Sequence, residues 1–116
     1  MKEMYGTIDY RGITYKLVFN LNVMEEIQEK YGTVESWGAL TDGSDGAEPN
    51  AKAIIYGFRA MLNEGIDMDN DENGTNVKPF TLKQVGRMIS EIGFEKATAA
   101  LSKTVLDSTQ SESKNA

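Results

Sequence analysis

Tyr5-Gly6-Thr7-Ile8-Asp9-Tyr10, then Arg11-Gly12, then Ile13-Thr14-Tyr15-Lys16-Leu17-Val18-Phe19 is the stretch that decides the fold. Two runs rich in β-branched and aromatic residues flank a two-residue loop containing glycine, which is the signature of a tight β-hairpin. Pairing Tyr10 with Ile13 sets Ile8 opposite Tyr15, Gly6 opposite Leu17 and Met4 opposite Phe19. In that register Met4, Ile8, Tyr10, Ile13, Tyr15, Leu17 and Phe19 share one face. Thr7, Asp9, Thr14 and Lys16 take the other, with Tyr5 and Val18 near the open end. A slip by one residue would mix the two sets, so the pattern itself specifies the register. A lone hairpin is marginal in water, and its apolar face must cover helices or another chain.

Those helices follow. Asn22 opens the first, with Glu25 as its capping-box partner, and Met24, Ile27 and Tyr31 form its apolar stripe before Gly32 stops it. Glu26 and Lys30 sit at the favourable i,i+4 spacing. Thr33 caps a short helical turn with Val34, Trp37 and Leu40. The segment Thr41-Asp42-Gly43-Ser44-Asp45-Gly46-Ala47 reads as a loop. From Pro49 a second helix runs to about Glu64, with Gly65 as its stop. Its stripe of Ile54, Ile55, Phe58, Met61 and Leu62 is the strongest amphipathic face in the chain. Residues 67–78 read as a polar, acidic loop. Thr81 and Gln84 form a capping box for a third helix bearing Leu82, Val85, Met88, Ile89 and Ile92, which Gly93 breaks. A fourth runs from Phe94 to about Leu106 with Ala97, Leu101 and Val105 on one side. The expected fold is therefore α+β and mainly helical: a two-stranded antiparallel hairpin followed by about four short helices. Residues 1–107 make a single domain, and residues 108–116, polar and without an apolar anchor, read as a disordered tail.

Composition narrows the chemistry. The 116 residues include no His and no Cys, and the formal net charge is -6. A Cys nucleophile, a His-based triad, a Cys/His zinc site and a disulfide are thereby excluded. The acidic balance argues against nucleic acid as a partner, since phosphate binding needs a basic patch. The acidity is concentrated in residues 21–47 and 66–80. No apolar run reaches the roughly 18 residues that span a bilayer, and no signal core opens the chain, so a cytoplasmic protein is expected.

Candidate sites are few. Asp67-Met68-Asp69-Asn70-Asp71-Glu72-Asn73-Gly74 alternates carboxylates as a calcium loop does. Glu72, however, stands where the sharp-turn glycine belongs, and Lys78 where a bidentate glutamate belongs. A solvated loop and no metal is the expectation. Glu25 and Glu29 read as solvated helix charges rather than an acid–base pair. No phosphate-cradling glycine loop and no nucleophile motif is present. The chain is expected to be no enzyme and to use no cofactor. Aromatic and apolar stripes at helical spacing are ordinarily core; their functional alternative is to anchor a partner, because aromatics dominate interface hot spots.

The run Gly12-Ile13-Thr14-Tyr15-Lys16-Leu17-Val18-Phe19-Asn20, then Leu21-Asn22-Val23-Met24-Glu25-Glu26-Ile27-Gln28-Glu29-Lys30-Tyr31-Gly32, resembles the opening of phage tail assembly chaperones. These are found in long-tailed phages of Gram-positive bacteria and in gene-transfer-agent-like relatives. A short hairpin, an acidic helix ending in Tyr-Gly and a Trp-containing turn make up the likeness. Ala53-Ile54-Ile55-Tyr56-Gly57-Phe58-Arg59-Ala60-Met61-Leu62 is similar to the family's central helix, and Pro79-Phe80-Thr81 introduces the later ones. The resemblance spans about residues 5–105. It implies a non-enzymatic protein of the host bacterial cytoplasm that binds the tape measure protein and helps recruit the tail tube protein. On that implication Phe58, Met61 and Leu62, with Tyr31 and Trp37 at the edge, are the candidate partner-binding residues for an amphipathic helix. The alternative is a structural phage tail or head–tail connector component, although such proteins carry more β-structure than two strands. A homo-oligomer is open as well, through the hairpin edges or the alanine face of the fourth helix.

Overall fold

The computed structural model describes residues 5–42 and 48–115, with side chains to residue 108. Strands β1 (Tyr5–Tyr10) and β2 (Ile13–Val18) pair antiparallel, Tyr10 opposite Ile13, Ile8 opposite Tyr15 and Gly6 opposite Leu17, as the sequence pattern demands. Met4, expected opposite Phe19, lies outside the described residues. Arg11 (φ 52°) and Gly12 (φ 80°) both adopt positive φ, the conformation of the two-residue turn whose twist matches its strands. Ile8 and Leu17 are buried, whereas Ile13, on the same face, is 54% exposed because it lies at the turn end, beyond the helices. On the opposite face Thr14 Oγ1 donates to Asp9 at 2.6 Å.

Five helices follow where about four were expected: α1 (Leu21–Tyr31), α2 (Val34–Asp42), α3 (Ala51–Asn73), α4 (Leu82–Ile92) and α5 (Phe94–Asn115). The cap of α1 is Asn20 rather than Asn22; its side chain accepts from the Val23 N–H, and Asn22 instead donates to Glu64 at 3.0 Å. Asn50 caps α3 by accepting from the Ala53 N–H at 2.9 Å. The Thr81–Gln84 capping box has both of its reciprocal hydrogen bonds. Gly32 (φ 88°) and Gly93 (φ 110°) close α1 and α4 with backbone conformations that L-residues avoid. The turn expected around Trp37 is a full helix of nine residues.

The largest departure from the sequence reading is in α3. It does not stop at Gly65 but continues to Asn73, so the segment expected as loop 67–78 is helical over its first half. A Cβ on Gly65 would sit 2.8 Å from the Lys16 carbonyl oxygen. The glycine lets the helix press against β2; it is a contact point, not a terminator. Lys16 Nζ pairs with Asp69 at 2.9 Å and ties the acidic end of α3 to the hairpin. Asn70 then organises the exit, accepting from the Val77 N–H (3.0 Å) and Thr75 Oγ1 (2.9 Å) while donating to the Val77 carbonyl (2.9 Å).

The second departure is α5, whose helical backbone continues to Asn115 through the segment expected as a disordered tail. No Gly or Pro occurs after Gly93. Once nucleated on the core, a helix gains a hydrogen bond for each residue added, so nothing local halts it.

α3 is the spine. It packs on β2 and contacts α1, α2 and α4, while α5 lies across β1. The core gathers Leu17, Ile27, Trp37, Phe58, Met88 and Leu101 around it. Trp37 is 1% exposed, and its Nε1 donates to the Ala53 carbonyl at 2.9 Å.

Candidate partner-binding groove

Phe58, Met61 and Leu62 are fully buried. The central stripe of α3 is used up by the hairpin and the other helices, and so is Trp37. None of the four can touch a partner while the domain stays folded, which corrects the partner-binding assignment made for them. Burying side chains of this size contributes on the order of 1.5–3 kcal/mol each, and exposing them to a ligand would forfeit that.

Tyr31 is the one candidate that reaches the surface, and it is half-buried. Its ring stands edge-to-face on Tyr56, with centroids 5.6 Å apart. Tyr56 donates its hydroxyl to the Glu26 carbonyl at 3.2 Å, and the Lys30 ammonium and Arg59 guanidinium lie 5.4 and 5.7 Å from its ring centroid. Arg59 also pairs with Glu26 at 3.4 Å. Burial pushes the pKa of both tyrosines up. Apart from the Arg59–Tyr56 contact within α3, these contacts run between α1 and α3, so the cluster is a helix–helix seam.

The apolar surface that the fold leaves open lies instead on α4. Its inward row of Val85, Met88 and Ile89 is buried. Its outward row is Leu82, Gly86 and Ser90, spaced at i, i+4 and i+8 so that the three stack along one line of the helix. With Ile55 of α3 they line a groove of about 640 Å³, whose remaining lining residues are Lys83, Arg87 and Glu91. Leu82 is 47% exposed and Ile55 half-buried.

Gly86 makes the groove. It lies inside an 11-residue helix with ordinary helical φ, a position where glycine costs about 1 kcal/mol relative to alanine. At Gly65 the cost has a visible reason, the Lys16 carbonyl. At Gly86 a Cβ would meet nothing closer than Ile55 Cδ1 at 3.6 Å, an ordinary contact. No close contact in the fold requires the glycine, and its missing side chain leaves the floor of the groove open.

The polar residues around this line are quietened or directed. Ser90 Oγ donates back to the Gly86 carbonyl at 3.0 Å, so its hydroxyl is already satisfied. Glu91 receives two hydrogen bonds from Arg11 at the hairpin turn, from Nε at 3.1 Å and NH2 at 2.9 Å. Those hydrogen bonds hold the Glu91 carboxyl below its usual pKa and raise that of Arg11. Lys83 and Arg87 form no ion pair among the described residues. The rim is therefore cationic in a chain of net charge -6.

Comparison with known proteins finds no matching family model, curated protein or solved structure. Among the described residues no group of three or more acidic side chains is placed to hold a metal ion, and no helix is long and apolar enough to cross a membrane.

Periodicity does not mark the groove residues, because Leu82 and Ile55 fit helical stripes that are ordinarily core. One signal was present. A glycine sat in the middle of an otherwise strongly amphipathic helix, where it costs stability and no turn requires it.

Proposed function

We propose that this chain is a phage or prophage tail assembly chaperone. It acts without catalysis in the host cytoplasm, holding an apolar helical segment of the tape measure protein and aiding tail tube assembly. The observation that carries the reading is the open groove on α4. It is apolar along its floor and largely open to solvent, and nothing from the described chain fills it. Helix-in-groove docking is how folded proteins shield amphipathic segments. The hairpin-then-helices layout and the Tyr31-Gly32 and Trp37 features of the sequence support the resemblance to that family.

The test is co-expression with the long, helix-rich product of the neighbouring reading frame. A soluble complex is expected, weakened by Leu82→Asp, which changes an exposed residue and leaves the core intact. A folded chain that gives no complex at low salt would overturn the reading. So would its presence as a stoichiometric component of purified virions, the outcome a structural tail or connector subunit predicts.

A further inference from the structure

Resting on that reading, we infer that the groove selects its helix by charge. The segment it holds carries acidic residues beside its apolar face, placed to meet Lys83 and Arg87, and brings a small or apolar side chain down onto Gly86. Three observations converge. The floor of Ile55, Leu82 and Gly86 carries no polar side chain. Both cations sit one turn apart on the next row of α4 and are without ion-pair partners among the described residues. Glu91, the one acid between residues 78 and 91, is already engaged by Arg11. A basic helix would find no free carboxylate there, whereas an acidic one would find two free cations.

The length fits as well. From Leu82 to Ser90 the groove follows α4 for about 12 Å, or just over two helical turns. A partner helix can present three apolar positions over that distance, with acidic residues at the adjoining i+3 or i+4 positions.

The experiment uses the full chain and two fluorescently labelled synthetic helical peptides. They share one apolar face and differ only in flanking residues, Glu in one and Lys in the other. Anisotropy titrations are expected to show the Glu peptide binding about tenfold tighter, the size of effect that two exposed charge pairs can supply. The double variant Lys83→Glu/Arg87→Glu is expected to reverse the order. Gly86→Leu, whose Cβ meets nothing closer than Ile55 Cδ1 at 3.6 Å, is expected to abolish binding of both peptides while the circular dichroism spectrum is unchanged. Equal affinities, or an order that survives the charge reversal, would overturn the charge selectivity while leaving the groove as a docking site. Binding of neither peptide would overturn both. Self-association of the chain, blocked by Gly86→Leu, would show the groove to be an interface between copies and so overturn the inference. If the Glu peptide binds as expected but no complex forms with the tape measure protein, the selectivity stands and the proposed partner is wrong.

Discussion

Replacing Gly86 by alanine is expected to make the protein more stable and its groove less useful. The first effect follows from the backbone. Glycine in a helix interior is disfavoured by about 0.8–1 kcal/mol relative to alanine, because more conformational freedom is lost on folding. The added methyl would stand 3.6 Å from Ile55 Cδ1, close to the best separation for two carbons, and contributes about 0.1–0.2 kcal/mol per atom contact. The sum is about 1 kcal/mol, or roughly 4 °C in Tm for a chain of this length. Urea unfolding followed by the emission of Trp37, the single tryptophan, reads it directly, since that indole is buried against Ala53. Gly38→Ala in α2 is the control: it too meets nothing within 4 Å, lies away from the groove, and is expected to add stability without touching partner binding. If Gly86→Ala is neutral or destabilising, the glycine serves the fold and the argument for a reserved space fails.

Gly65→Ala is expected to do the opposite, destabilising by about 1–3 kcal/mol, because its Cβ would be driven to 2.8 Å from the Lys16 carbonyl oxygen and α3 would have to lift from β2; the same urea titration measures it. Tyr31 and Tyr56 are expected to ionise above the ordinary tyrosine value in an absorbance titration, because burial disfavours both phenolates. A group whose folded pKa is raised holds its full contribution below the unfolded value and loses it as pH rises through the folded one, so stability is expected to decline on the alkaline side; Tyr56→Phe is expected to flatten that decline. Arg11→Gln releases the Glu91 carboxylate into the groove and is expected to cut the affinity for the Glu-flanked peptide about two- to threefold by anisotropy, with the effect shrinking as salt is added.

What could be read from the sequence was whatever depends on near neighbours along the chain. The hairpin register follows from alternation over 15 residues, and the Thr81–Gln84 box, Gly32 and Gly93 act within one helical turn. What could not be read depends on distant partners. Gly65 looks like a helix stop, and only the Lys16 carbonyl on the far strand shows why it is not. Asn20 and Asn22 are equally good caps on paper; Glu64, more than 40 residues away, engages both and leaves Asn20 to cap. The stripe of Ile54, Phe58, Met61 and Leu62 was correctly seen as apolar, but periodicity cannot say whether a stripe faces core or partner. Here the surrounding elements decide it: the helices and the hairpin cover the face of α3 that carries Ile54, Phe58, Met61 and Leu62.

The same uncertainty in reverse accounts for α4. Its inward residues are what any amphipathic helix would have, and the information lies in what has been done to the outward row. One position has lost its side chain at a cost to helix stability. Another is a serine whose hydroxyl is turned back onto the helix carbonyl, an arrangement that itself slightly disfavours a helix. The acid on the neighbouring row is neutralised by an arginine 80 residues earlier in the chain. A leucine is left 47% exposed at the entrance. Two of these choices weaken the isolated domain, and only the Arg11–Glu91 pair adds a contact within it. The glycine and the serine remove bulk, and the pairing with Arg11 removes free negative charge, from the same roughly 12 Å of surface that the exposed leucine borders. Local rules broken together in one place, at a cost to the helix, are what the proposed docking surface predicts.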